Sequence, residues 1–441
     1  MDKLNYRSIA DRIFRSGVSR VIPENLIQDE LKPEKEILFI GSVQINLDSI
    51  NKLYIIGAGK ASAQMASGIE RMLGKRIDSG HIVVKYGHSC SLDKIKITEA
   101  GHPVPDNNSY AATKEILSIA GKAGGKDLVI CLLSGGGSAL LADYPDNSSP
   151  GEMMELSNLL INSGATISEI NAVRKHLSSV KGGQLARKVF PAKLVSLILS
   201  DVIGDPLDVI ASGPTAPDSS TFQLAVDVLA KYHLTEKVPE GILKILMNGI
   251  AGKIPETPKT GDPIFENTVN LLIGTNLIAL EASKNEAEKL GLNAIIINDR
   301  LSGDVWDAAD YIIENVIRSK NDIDIIKPAC LLFGGEPTVK MTGKGLGGRN
   351  QHLALILAQK IQHFNGITIL CAGTDGTDGP TDAAGAVVDT RSIPEAVSKK
   401  IDPDKYLKDF DSFHFFEKTG GLIITGPTLT NVMDIIIVII E

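Results

Sequence analysis

The sequence predicts an α/β protein built as two α/β/α domains, and three observations carry that prediction. Short runs rich in β-branched residues alternate with longer stretches of helical period, the pattern of strands joined by helical crossovers. The 441 residues exceed what one ordinary domain uses. An aperiodic stretch rich in Pro, Gly and Thr, from Asn248 to Asn267, interrupts the alternation, which then starts again.

The elements follow in order. Roughly the first 43 residues carry an amphipathic helical pattern at Ile9, Ile13 and Phe14 and are assignable to either domain. "KLYIIGAG" reads as a strand, with a helix from about Ser62 to Leu73, and "HIVVKY" as a second strand. "YAATKEILSIAGKA" is helical, and "DLVICLL" is apolar throughout, as a strand buried on both faces would be. Strand "KLVSLILSDV" and helix "TFQLAVDVLAKYHL" complete a first domain over 1–247, with 248–267 as linker or surface loop. A second domain over 268–441 holds strands "TVNLLIG", "NAIIIND", "ACLLFGG" and "ITILCAG", three intervening helices, and the terminal runs "GLIITG" and "MDIIIVII".

Composition narrows the function. Hydrophobic residues at 43% with 22% charged describe a well-cored globular protein. A net charge of −8 argues against a nucleic-acid partner, which favours a basic face. Cys131, Cys330 and Cys371 lie inside apolar runs, as buried thiols do, and no C-x-x-C pair suggests zinc. The charged N-terminus lacks the apolar core of a signal peptide, and "IIIVII" is too short to span a bilayer. The expectation is a cytoplasmic protein with no membrane partner.

Five apolar runs end in small residues: "YIIGAGKAS", "CLLSGGGSALL", "LLIGTNLIA", "LLFGGEP" and "ILCAGTDGTDG". Ligands of open α/β sheets bind at these strand ends, where glycine permits close backbone approach. Ser134, Gly135, Gly136, Gly137 and Ser138 form the strongest phosphate-binding candidate, although a tight turn needs glycines too. Leu140 stands where a G-x-S-x-G nucleophile elbow needs its last glycine. "GAGKAS" fails the P-loop pattern at Tyr54 and Ala61 and falls one residue short of G-x-G-x-x-G at Ser62. It leaves Lys60 at a strand-to-helix turn. "GKGLGGRN" sets Arg349 beside a glycine loop, suited to a bidentate grip on carboxylate or phosphate. Asn276 and Glu336, in two of the loops, join Arg174 and Lys181 of "NAVRKHLSSVKGG" as substrate- or phosphate-binding candidates; a solvated basic helix is the plain alternative for the last two.

Carboxylates complete the set. Asp201 follows a strand directly, with Asp205 and Asp208 behind it, and Asp375, Asp378 and Asp382 sit on one acidic glycine loop. Asp201, Asp375 and Asp378 are the candidate Mg²⁺ ligands, since Mg²⁺ takes one or two carboxylates together with substrate phosphates. Cations, carboxylates and glycine loops together are what phosphoryl transfer requires.

These segments, with "GHPVPD" and "LSDVIGDPLDVIASGPT", occur in the order seen in the glycerate 2-kinases, the type II glycerate kinases that carry a MOFRL domain. The chain resembles that family from about Leu53 to Gly426. The resemblance implies a Rossmann-like N-terminal domain, an active site in the interdomain cleft, and ATP- and Mg²⁺-dependent phosphorylation of D-glycerate to 2-phosphoglycerate. It implies Lys60 and Arg349 as the catalytic pair. Two other readings stay open: an NAD(P)H-dependent hydroxypyruvate or tartronate reductase, and a binding or regulatory protein without catalysis. Homodimer formation also stays open.

Overall fold

The computed structural model describes residues 5–441, which fall into two compact units. One comprises Leu26–Ser200 and Asp205–Ile273; the other comprises the described residues up to Asn25, Asp201–Gly204 and Gly274–Glu441.

The first unit opens with a three-stranded antiparallel sheet, β1 (Leu31–Glu34), β2 (Ile37–Ile40) and β3 (Val43–Asn46). The helical pattern expected over the first 43 residues therefore stops early, after helices Tyr6–Arg20 and Pro23–Glu30. In "ILFIGSVQIN" the inward residues are Leu38, Ile40 and Ile45, and Gly41 turns the chain at φ 55°. That alternation is a strand period, hidden in so short a stretch.

The main sheet of this unit has the order β6-β5-β4-β7-β8-β9. Its strands are β4 (Leu53–Ala58), β5 (Ser79–Lys85), β6 (Ile95–Ala100), β7 (Leu128–Leu133), β8 (Lys193–Leu199) and β9 (Thr268–Gly274). The pairings from β6 through β8 are parallel, and every residue of β4 and β7 is buried, as their unbroken apolar runs require. Helices Ser62–Leu73 and Asn107–Ala120 cover the sheet, the latter begun by an Asp106–Ser109 capping box. A satellite core of Leu156, Leu160, Val173, Leu229 and Ile242 joins four further helices. Residues 248–267, expected as a linker or a surface loop, lie within this unit and are tied down by Thr257 Oγ1 to Asp218 (2.9 Å) and Glu256 to His176 (2.7 Å). They lead into β9, the sixth strand of the same sheet, and Asn270 on β9 exchanges two hydrogen bonds with Thr215. Pro and Gly gave that segment the look of a boundary; side-chain anchors invisible to a pattern keep it in the fold.

The second unit holds β10 (Asn293–Leu301), β11 (Ala329–Gly335), β12 (Ile367–Gly373), β13 (Gly385–Asp389), β14 (Leu422–Ile423) and β15 (Asp434–Ile440), in the order β10-β11-β15-β12-β13-β14. β15 lies between β11 and β12 and runs antiparallel to both. The sheet is therefore mixed, not purely parallel. "DIIIVII" is buried at every residue, which is why a strand so uniformly aliphatic sits at the centre. Helix Tyr6–Arg20 packs on helix Asn276–Lys289, where Gly17 lets Ala279 and Ser283 approach. Cys131, Cys330 and Cys371 are buried free thiols, as expected, and burial pushes the first two up to about 12. No helix of the described residues is long and apolar enough to cross a membrane.

Candidate functional site

In the first unit, the ends of β4 and β7 are laced together. The Lys60 amide donates to the Gly135 carbonyl (2.9 Å), the Ser134 amide to the Ala58 carbonyl (3.1 Å), and the Ala61 amide to Ser134 Oγ (3.0 Å). Ser134 is 1% exposed and also meets Ser62 Oγ at 3.3 Å, so its hydroxyl braces the turn and is not free for a ligand. Gly136 adopts φ 84°; a Cβ there would stand 2.9 Å from the His102 ring and 3.6 Å from Lys60 Cε. The lysine stem and the imidazole thus lie over the glycine loop. Lys60 is half-buried and makes no ion pair among the described residues. His102 is pushed down to about 4, first by burial and then by Lys60, Lys85 and His88. Burial is the largest cause of that shift, and Lys60, Lys85 and His88 add positive charge near the loop, which suits an anion.

Ser138 Oγ meets Ser212 Oγ at 2.7 Å, and Ser212 Oγ donates to Asn171 Oδ1 (3.2 Å). Ala211 and Ser212 hold left-handed φ of 50° and 62°, about 1 kcal/mol of strain each. That conformation brings Ala211 against Gly137, where a Cβ would come within 2.8 Å of the alanine methyl. Arg174 and Lys181 line, with Ser138, a cavity of about 240 Å³. Lys181 donates to the Leu141 carbonyl, lies 4.0 Å from Asp143, and is pushed down to about 8 by burial. Arg174 donates only a long 3.4 Å bond to Ser157 Oγ, and burial lowers its pKa with no carboxylate opposing. Their sequence neighbours go elsewhere: Lys175 pairs with Asp218 (3.1 Å) and Asp208 (3.5 Å), and His176 with Glu256.

The second unit carries the opposite charge. Arg349 opens helix Arg349–Ile361 and is held from two sides. Its Nε and Nη2 reach the two oxygens of Asp434 at 2.6 and 2.9 Å, and its Nη1 reaches Glu336 Oε1 at 2.9 Å. Asp434 is fully buried at the head of β15, in register with Gly335 and Gly373 of the flanking strands. Asn276 Nδ2 donates to the Val432 and Asp434 carbonyls (2.8 and 2.9 Å), so this residue positions the Asp434 backbone. Gly334 makes room for it, since a Cβ there would collide with the Asn276 amide.

Burial raises the Glu336 pKa; Arg349 lowers it, and Asp434, Asp201 and Asp375 raise it. Four carboxylates and one guanidinium thus share one field, which a cation would relieve. Asp375 is half-buried, with one oxygen accepting the Thr377 amide (3.0 Å). Asp378 differs: at 3% exposure, its oxygens accept the Asn350 and Gln351 amides (3.0 and 2.8 Å) at the start of the Arg349 helix. Burial still pushes it up to about 6. It acts as a helix cap from a distant segment, and Asp382 is exposed. Among the described residues no three His, Cys, Asp or Glu side chains form a ready metal cluster.

Residues 9–247 match the family described as "Domain of unknown function (DUF4147)", and 329–434 match the MOFRL family. The D-glycerate 2-kinase of Thermotoga maritima is 42% identical over 440 residues, 99% of each chain. The chain belongs to the glycerate 2-kinase family. A solved glycerate kinase structure from Thermotoga maritima has a TM-score of 0.89 at 40% identity, with all of both chains covered. A relative from Agrobacterium vitis, 38% identical over 97% of this chain and 93% of its own, carries the provisional name hydroxypyruvate reductase.

Within this glycerate 2-kinase family member, sequence reasoning overlooked Asp434, His102 and Asp143. Asp434 left a signal: it is the one charge heading the aliphatic run "DIIIVII". His102 lay inside "GHPVPD", where nothing in the spacing tied it to Gly136.

Proposed function

We propose that the protein transfers the γ-phosphoryl group of ATP to D-glycerate, giving 2-phosphoglycerate and ADP. What supports this reading is that one unit sets a strand-end lysine, without an ion pair among the described residues, over a glycine loop, and the other unit fixes an arginine bidentately among carboxylates. A hydroxyl oxygen of glycerate forms the new bond to phosphorus as the bond to the β-phosphate oxygen breaks, giving ADP, its proton passes to solvent, and charge builds on the transferring oxygens. Lys60 and the loop Gly135–Ser138 are suited to hold that charge. Arg349, its orientation set by Asp434, presents its remaining donor capacity to phosphate or to the glycerate carboxylate; Glu336 aligns it. Arg174 and Lys181 are suited to the donor's other phosphates.

Asp201, Asp375 and Glu336 are suited to hold Mg²⁺, which would neutralise phosphate charge. Their mutual repulsion fits a cation, and Mg²⁺ needs only one or two of them. Asp378 is the weaker candidate because main-chain donors already engage it. The buried free thiols support a reducing, cytoplasmic setting. Homodimer formation remains a matter for solution measurement.

The reductase reading finds less support. A dinucleotide site places an acid at the carboxyl end of the second strand. Here Lys85 and Tyr86 stand at that end of β5, while Asp78 is at the other, accepting the Leu53 amide (2.8 Å). The test is ADP formation from MgATP and D-glycerate, with phosphorus NMR of the product. ADP with a 2-phosphoglycerate signal is expected; oxidation of NADH by hydroxypyruvate without ADP formation would overturn the proposal.

A further inference from the structure

The cavity beside the glycine loop has two unlike ends. Ser138, Arg174 and Lys181 make one end polar and cationic. The other is built from Pro103, Val104, Tyr110, Met153, Met154 and Ile161. Val104, Met154 and Ile161 remain 60%, 53% and 60% exposed, an apolar cluster at a cavity mouth that no described residue covers. The volume of about 240 Å³ lies just below the range small-molecule sites usually occupy, ~300–1,000 Å³, and exceeds what a three-carbon acid fills.

Chemistry narrows the occupant. Glycerate has no apolar surface to lay on two methionines and an isoleucine. Arg174 is a half-buried cation lining the cavity with no carboxylate partner among the described residues, a costly arrangement unless an anion completes it. An apolar planar group joined to phosphates satisfies both ends at once. The polar end is also continuous with the catalytic loop, since Ser138 is two residues from Gly136, over which Lys60 lies.

We infer that this cavity holds the nucleoside of the phosphoryl donor, with the base against Met153, Met154 and Ile161 and the phosphates running past Arg174 and Ser138 toward Lys60. The inference rests on the proposed kinase reading, which it deepens by separating a donor subsite from the acceptor subsite.

The test uses the intact protein and 8-azido-ATP. Photolabelling followed by peptide mapping should place ATP-protected label on the segment carrying Met153 to Ile161. In parallel, the double variant M154D/I161D changes two exposed side chains, so folding is retained. It should raise the KM for ATP about tenfold, as loss of one to two kcal/mol of apolar contact implies, while leaving the KM for D-glycerate unchanged. Arg174→Met should raise the KM for ATP similarly. An enzyme that makes ADP from D-glycerate but whose protected label maps outside the cavity, or is absent, overturns the inference and leaves the kinase reading intact. Protected label in the cavity with no turnover of D-glycerate upholds the nucleotide site and sinks the proposed acceptor.

Discussion

The glycine loop around Lys60 and the acidic cluster around Arg349 both present one central cation, yet they treat it differently. Among the described residues Lys60 makes no ion pair, and it lies over backbone beside a His102 held near 4 by burial first and by Lys60, Lys85 and His88 after it. Arg349 is gripped by Asp434 and Glu336, and Glu336 is raised by burial first, with Asp434, Asp201 and Asp375 adding to it against Arg349. An unpaired cation is free to meet a substrate anion and contributes little to the fold. A paired, half-buried one is structural first, and any catalytic work depends on the partner that aims it.

The largest effect should come from Lys60→Ala. Loss of a cation on the transferring phosphoryl group costs ~10³-fold in turnover, and with no ion pair to break, the unfolding midpoint should scarcely move. Steady-state kinetics beside guanidinium denaturation checks both halves. A variant that keeps most of its turnover would remove Lys60 from the mechanism.

Asp434→Asn should do the converse, damaging fold and function together. It leaves Arg349 without its bidentate partner, and the cost should fall below the ~3 kcal/mol of breaking a fully buried pair, because Arg349 is half-buried and keeps Glu336. The first unfolding transition should fall accordingly and kcat with it. Unchanged stability would show that Glu336 alone fixes the guanidinium, and would weaken the contrast between the two regions.

The two regions also differ in how legible they were. The place of Lys60 beside its glycine loop could be read from a strand-end motif, because such loops keep residue type and position together in sequence. So could most strands, whose aliphatic runs are long. What could not be read is whatever distant segments supply. Asp434 meets Arg349 only because β15 inserts antiparallel between β11 and β12. Ser134 and Asn276 look like ligand groups in sequence and prove to brace backbone, since a hydroxyl or amide beside glycine has the same pattern in either role. β1 to β3 were missed because four-residue strands carry too few positions to declare a period.

Asp375 and Asp378, three residues apart, sharpen the acidic side. Asp378→Ala removes a cap from helix Arg349–Ile361 and should cost about 1–2 kcal/mol of stability, with the Mg²⁺ concentration for half-maximal rate unchanged. Asp375→Asn should leave stability alone and raise that Mg²⁺ requirement. Titrating rate against Mg²⁺ for both variants separates them. If Asp375→Asn shows the same Mg²⁺ curve as the parent, the metal is held by other carboxylates.

The smallest expected effect probes the field at the glycine loop itself. His102 resists protonation until about 4, while an unfolded chain takes up that proton near 6.5. Between those values the unfolded state binds more protons, so this histidine's contribution to stability is complete above 6.5 and is lost as pH falls toward 4. Burial is the main cause, and Lys60, Lys85 and His88 add to it. Lys60→Ala removes one positive neighbour and leaves burial in place. The His102 imidazole resonance, followed by NMR across that range, should then titrate at higher pH than in the parent, though still below an exposed histidine, and the acid-sensitive window should narrow. If the titration stays where it was, burial with Lys85 and His88 accounts for the shift, and Lys60 adds no measurable field at His102.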